Sequence, residues 1–287
     1  MLKEMDQKNG TQQAAFETIS THQEGGVLFA EIAAPPMNLL GPELVRDLVS
    51  LIRQAESDGS IRVLVFKSAD PDYFVSHVDV TRIAGFGEWA MQLTGEPSIA
   101  MLFRYLSASR LVTIAQIEGR VRGVGSEFVL ACDMRFAALE SAIFGQPEVG
   151  FGLIPGSGAV QHLTRLIGRG RALEVLLSAE DYDAEMAERY GWINRALPAA
   201  RLGDFVKSLA RRIDCFPAFG VAAIRERVNA VALAPADDFR RDSSLFLECV
   251  REPESQNRIK AAMKHGFQTR EAEMDLPSML VDLPDNA

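Results

Sequence analysis

Leu111 to Cys132 reads LVTIAQIEGRVRGVGSEFVLAC, and the fold turns on this stretch. Leu111–Ile117 is an apolar run of strand length, the pattern of a strand buried on both faces. It delivers the chain into Glu118-Gly119-Arg120-Val121-Arg122-Gly123-Val124-Gly125, where closely spaced glycines allow an unusual backbone path. Ser126–Cys132 then reads as a short buried helix.

The same alternation extends to either side. Upstream, Val27–Ala33 predicts a strand that stops at Pro35-Pro36, where backbone donors are lost. Pro42 suits a first helical turn, and Leu44, Val45, Leu48, Val49, Leu51 and Ile52 recur at helical spacing until Asp58-Gly59. Ile61–Phe66 predicts another buried strand. Downstream, Met134–Ala138 and Ile143–Phe144 read as strands, and a second glycine-rich passage, Gly150 to Gly158, precedes a helix with Leu163, Leu166 and Ile167 on one side. From about Leu202 the pattern is helical only: Leu202–Ile213, Phe219–Leu233, Phe239–Val250 and Ser255–Gly266. Strand–helix units first and helices last predict an α/β fold with a helical cap or oligomerisation appendage. The expected division is a flexible tail over 1–14, an α/β core over 15–200 and a helical region over 201–287, acidic and loose beyond Asp275.

Two glutamates stand beside the glycine-rich turns. Glu127 opens an otherwise apolar helix, and Glu148 closes Phe144-Gly145-Gln146-Pro147-Glu148. Alone, Glu127 reads equally as an N-terminal helix acid favoured by the helix dipole, and Glu148 as a solvated loop acid. Together they form a pair able to divide acid and base work if their surroundings separate their pKa values.

Composition removes several alternatives. The chain of 287 residues, 47% hydrophobic and 24% charged, has the balance of a globular enzyme with a sizeable core. Its net charge of −9 argues against affinity built on neutralising phosphates, so no nucleic-acid partner is expected. Cys132, Cys215 and Cys249 have no CxxC spacing, which indicates neither a disulfide framework nor a zinc site and fits a reducing, cytoplasmic setting. Met1 to Gly10 carries no signal or transit pattern, and no segment approaches the ~18 apolar residues of a spanning helix, so no membrane partner is expected. The four histidines (His22, His77, His162, His265) lack metal-ligand spacing, and no metal is expected. There is no GxGxxG after the strand at 111–117, no Gly-Lys-Ser/Thr ending to Gly150–Gly158, and no GxSxG around Ser126 or Ser157.

The order and spacing of three motifs resemble the crotonase superfamily, the enoyl-CoA hydratases and isomerases. They are Gly125-Ser126-Glu127 leading into Leu130-Ala131-Cys132-Asp133, then Phe144-Gly145-Gln146-Pro147-Glu148, then Gly152-Leu153-Ile154-Pro155-Gly156-Ser157-Gly158. The resemblance runs from about Val27 to Leu197, and more weakly to about Gly266. It implies a crotonase-like core of ββα units wound into a superhelix, with C-terminal helices that pack a homotrimer or a dimer of trimers. It implies an acyl-CoA substrate, with no separate cofactor, whose thioester oxygen becomes an enolate oxygen held by the N–H groups of Val78 and Val124. Glu127 and Glu148 would together hold a water and add it across an enoyl double bond. Glu148 would exchange the proton at the α-carbon, Glu127 would activate the water, and the Gly156 N–H would help place it. The presence of both acids favours hydration over isomerisation. Pro36, Asn38, Ser76 and Arg82 are the residues expected along the CoA.

Three departures from the family pattern fall around the ligand. Ser76-His77 stands where Ala-Gly is usual, so His77 either reshapes the acyl pocket and adds a titratable group, or turns away. Val124 replaces the middle glycine of a three-glycine turn and needs a backbone path that a β-branched residue adopts. Arg120 and Arg122 precede it, facing either solvent or ligand. The loop Ala34-Pro35-Pro36-Met37-Asn38 lacks a basic residue before its first proline, which leaves Arg62, Lys67 and Arg82 as sources of phosphate contacts. Beside hydration stand two other readings. One is thioester or β-dicarbonyl hydrolysis, with His77 as an added base, or isomerisation on the same platform. The other is a non-catalytic oligomeric binding protein, against which both glutamates and the net charge count.

Overall fold

The computed structural model describes residues 16–82 and 86–283. The tail expected over 1–14 lies outside them. The first described strands, β1 (Ile19–Glu24) and β2 (Val27–Ile32), form an antiparallel pair, and α1 (Pro42–Ser57) follows with Pro42 in its first turn. The apolar positions of α1 that recur at helical spacing are all buried.

Later units repeat one plan. β3 (Val63–Ser68) and β4 (Tyr73–Val75) lead to α2 (Phe86–Thr94) and α3 (Ile99–Ala108). β5 (Val112–Ile117) and β6 (Arg120–Arg122) lead to α4 (Val124–Ala131), and β7 (Met134–Ala138) and β8 (Ile143–Gly145) lead to α5 (Ala159–Ser178). In each unit the first strand joins a six-stranded sheet and the second joins a four-stranded one. β9 (Asp181–Asp183), α6 (Ala184–Tyr190) and β10 (Arg195–Leu197) close the core. The sheet orders are β1-β2-β3-β5-β7-β10 and β4-β6-β8-β9, parallel except at β1–β2 and β8–β9. This is the ββα winding expected of the chain. Every residue of β5 is buried, as a central parallel strand covered on both faces requires. The sequence reading finds the three-residue strand β8 but not β4, β6, β9 and β10, which are equally short and carry no periodic signal.

The helical region begins with α7 (Ala199–Asp214), which lays Leu202, Val206 and Ala210 against Val27, Val65 and Ile114 of the larger sheet. α8 (Ala218–Ala232) buries no side chain within the chain. α9 (Ala236–Arg251) and α10 (Pro253–Lys264) return over the glycine-rich turns. The expectation of a loose segment beyond Asp275 is overturned over 276–283, the part of it that lies within the described residues. Leu276–Val281 forms α11, and Leu276 and Leu280, one turn apart, are buried against Phe151 and Phe267. Two leucines so placed contribute roughly 2 kcal/mol each, enough to order a short segment.

Candidate active site

β6 ends at Arg122, and Gly123 turns the chain into α4. Gly123 takes the positive φ of 49°, so the turn needs no left-handed conformation at Val124, and the β-branched residue is accommodated. Two positions further, a Cβ on Gly125 would lie 2.0 Å from the Val75 carbonyl oxygen, so α4 packs against β4 at a distance that only glycine permits.

One turn into α4, Glu127 is 2% exposed. Its Oε1 accepts from the amides of Ser157, at 2.6 Å, and Ala159, at 3.1 Å. The second glycine-rich passage therefore closes over this carboxylate. Burial pushes the Glu127 carboxyl up to about 7, against the downward pull of those amides.

Glu148 begins the 3-10 turn Glu148–Phe151 and is also buried. Its surroundings are poorer in donors. With the amide of Gln146 turned to satisfy both of its ends, the nitrogen donates to Glu148 Oε2 at 3.0 Å and the oxygen accepts from the Ser126 hydroxyl at 2.9 Å. Burial drives Glu148 well above the usual carboxylate range, and the charge of Glu127 adds to the effect. With two main-chain amides on its carboxylate, Glu127 is the more readily ionised member of the pair, and Glu148 the one held more strongly toward its protonated form.

Both carboxyls line one cavity of about 400 Å³. Val78, Val124, Gly156 and His77 line it too, so six of the residues singled out from the sequence converge there. The rest of the wall is mainly apolar, with Phe86, Phe151, Phe246 and Phe267 among its members. Among the described residues, the amides of Val78 and Val124 have no protein acceptor. Gln146, Phe246 and Phe267 are site residues that the sequence reading missed. Gln146 lay inside a quoted motif, whereas the two phenylalanines come from distant helical segments with no local mark.

The departures resolve in unexpected ways. His77 faces the cavity, but both ring nitrogens are engaged: Nδ1 donates to the Val78 carbonyl at 2.9 Å, and Nε2 meets Glu273 Oε1 at 2.7 Å. Its ring stacks on Phe267 at 4.6 Å. Arg122 faces neither solvent nor ligand, which corrects both alternatives. It is 1% exposed, with Nε 2.7 Å from Asp181 Oδ1 and Nη1 2.8 Å from the Glu273 carbonyl. Arg120 lies over the Tyr73 ring at 5.8 Å.

The residues expected along the CoA fare differently. The Asn38 side chain is buried and spends its amide on Ser68, Tyr73 and Phe74 and its oxygen on Ala34, so it shapes the loop and offers no free donor. The Ser76 hydroxyl is buried and donates to the Met37 carbonyl. The Pro36 carbonyl accepts from Arg270 at 2.7 Å. Arg82 is exposed and pairs with Glu43, while Arg62 and Lys67 pair with Asp214 and Glu31. Asn38 and Ser76 are thus buried with their side-chain polar atoms bonded within the loop, whereas Arg82 is exposed and held by a surface ion pair.

Residues 22–269 match the enoyl-CoA hydratase/isomerase family, and the chain belongs to that family. Among curated relatives it is similar to the short-chain-enoyl-CoA hydratase of Clostridium acetobutylicum, 27% identical over 261 residues, which are 89% of this chain and 99% of that protein. It is also similar to the crotonyl-CoA hydratase of Syntrophomonas wolfei, 31% identical over 201 residues, 69% of this chain and 76% of that protein. A crystal structure from Streptomyces avermitilis, provisionally assigned as an enoyl-CoA hydratase, superimposes with a TM-score of 0.92 at 50% identity. That likeness covers 94% of this chain and 99% of the other, so it includes the helical region as well as the core.

Proposed function

We propose that this chain is a lyase that hydrates a 2-enoyl-CoA to a 3-hydroxyacyl-CoA. The observation that carries the reading is one apolar cavity holding two buried carboxyls, one capped by two main-chain amides and the other not, beside two unengaged backbone amides. The thioester oxygen sits between the N–H groups of Val78 and Val124, where fixed donors meet charge that develops in the transition state. Such a donor contributes about 3–4 kcal/mol, and the N-terminal end of α4 adds to the field. Anionic Glu127 takes a proton from water as the water oxygen bonds to C3, and the double-bond electrons move onto the thioester oxygen. The enolate then collapses, and C2 takes the proton from Glu148. Water entering for the next cycle carries the proton from Glu127 back to Glu148. The Gly156 amide positions the water.

Coenzyme A enters only as part of the substrate. The Pro36 loop lies along it through the main chain, and exposed Arg82 exchanges Glu43 for a CoA phosphate. Both nitrogens of His77 are occupied, which weighs against hydrolysis with this histidine as base. The exposed apolar side chains of α8, Phe219, Ile224, Val228 and Val231, suit burial against other copies in a trimer or dimer of trimers. No helix among the described residues is long and apolar enough to cross a membrane, and the three free cysteines suit a reducing cytoplasm.

The test is loss of the conjugated thioester absorbance when the protein meets crotonyl-CoA and longer enoyl-CoAs. Turnover on at least one chain length is expected. Intact CoA-thioester binding with no turnover on any of them refutes hydration.

A further inference from the structure

Glu273 lies in the 3-10 turn Ala272–Asp275, far along the chain from both glycine-rich turns, and is 0% exposed. Its Oε1 meets His77 Nε2 at 2.7 Å and accepts from the Gln268 amide at 3.2 Å, and its Oε2 is 3.5 Å from Arg122 Nη1. Its main-chain carbonyl accepts from the same Nη1 at 2.8 Å. Arg122 directs its remaining donors, Nε and Nη2, at Asp181 at 2.7 and 2.5 Å. Burial alone would raise the Glu273 carboxyl, but His77 and Arg122 outweigh it and hold the group below the ordinary value. The result is a continuous row of hydrogen-bonded partners, Asp181, Arg122, Glu273 and His77, in which the last three are buried and Asp181 is partly exposed.

What this row joins is specific. His77 immediately precedes Val78, and Arg122 lies two residues before Val124. These are the two segments that carry the unengaged amides, and they reach the cavity from different units of the fold. The segment bearing Glu273 is itself fastened at several points. Arg270 pairs with Asp70 and Asp72 at 2.5 Å each, the Tyr73 hydroxyl donates to the Arg270 carbonyl at 3.1 Å, and Phe267 stacks on His77. A carboxylate held this firmly from one side fixes both of its partners.

We infer that Glu273 is a positioning residue: by bridging His77 and Arg122 it sets the separation and aim of the Val78 and Val124 amides that hold the enolate oxygen. This rests on the hydration reading for the identity of the oxyanion, and it extends the site to the C-terminal strap. His77 then serves as an anchored strut between strap and donor. A merely structural Glu273 would affect folding and leave the enolate chemistry of the folded enzyme untouched.

The experiment uses the full-length chain with Glu273→Gln, which removes the charge and keeps the size. It reads kcat and KM for enoyl-CoA hydration, and the ultraviolet enolate band of bound acetoacetyl-CoA, a 3-ketoacyl thioester whose ionisation reports the two amides. Expected are a fall in kcat of about tenfold or more, KM within about twofold of wild type, and a weakened enolate band, the pattern of an interaction felt only as charge develops. Wild-type kcat and a wild-type band in the folded variant overturn the inference. If Glu273→Gln does not fold, Glu273→Asp keeps the charge and withdraws the carboxylate by one methylene, and wild-type values in it overturn the inference equally. If wild type shows the enolate band but hydrates nothing, the hydration reading fails while the band still tests Glu273. If wild type neither binds acetoacetyl-CoA nor hydrates, both fail.

Discussion

Replacing Glu127 with Gln should make the protein more stable at neutral and alkaline pH while removing its turnover. Burial raises this carboxyl from 4.5 to about 7. A carboxyl whose folded value exceeds its unfolded one binds its proton more tightly in the native state. The native state therefore carries no ionisation penalty below about pH 4.5, and loses stability as pH rises to about 7, where the penalty is complete. At about 1.4 kcal/mol per unit, the full penalty is on the order of 3 kcal/mol. A neutral Gln avoids it and keeps an oxygen that accepts from Ser157 and Ala159. Removing the charge also relieves Glu148, whose carboxyl is raised by burial first and by Glu127 second. Calorimetric melting of wild type and Glu127→Gln at one protein concentration, at pH 5 and pH 8, is the assay, since the association proposed above would make Tm concentration-dependent. At roughly 2 °C per kcal/mol for a chain of this size, the variant should gain about 6 °C relative to wild type at pH 8 and much less at pH 5. An equal difference at both pH values would refute the argument that Glu127 is buried as a strained anion.

Other outcomes follow from single contacts. Glu148→Gln should lower kcat by at least about 100-fold with acyl-CoA binding retained, measured by steady-state kinetics and calorimetric titration, and unchanged turnover removes Glu148 from the mechanism. Gly125→Ala forces a Cβ to within 2.0 Å of the Val75 carbonyl, so a loss of about 1–3 kcal/mol or more is expected in denaturant unfolding. A wild-type transition midpoint would show that α4 can move off β4. Val231→Glu on α8 places a charge on a face that the trimer proposal buries, and light scattering should report a shift toward smaller species. An unchanged mass would place the interface elsewhere.

How far the chain can be read without its structure depends on the range of each interaction. The strands around Val65 and Ile114 and the helix from Pro42 are legible because burial follows local spacing. Pairing Glu127 with Glu148 was legible for a related reason, since each lies beside a glycine-rich turn. Short strands such as β4 and β6 were not, although they place Val75 and Arg122 beside the site. The partners of the Asn38 and Ser76 side chains were not legible either, because a loop motif does not show which distant main-chain groups its side chains will meet. Which carboxyl is held more strongly toward its protonated form was decided by tertiary structure, since it depends on how many amides reach each group once water is excluded. So was the role of the C-terminal strap. Glu273 and Arg122 are 151 residues apart, and nothing in either neighbourhood marks the other. Local patterning specifies elements because each apolar face must be covered. Long-range partnering between charges exists only once the fold has closed, when a buried carboxylate must find its cations.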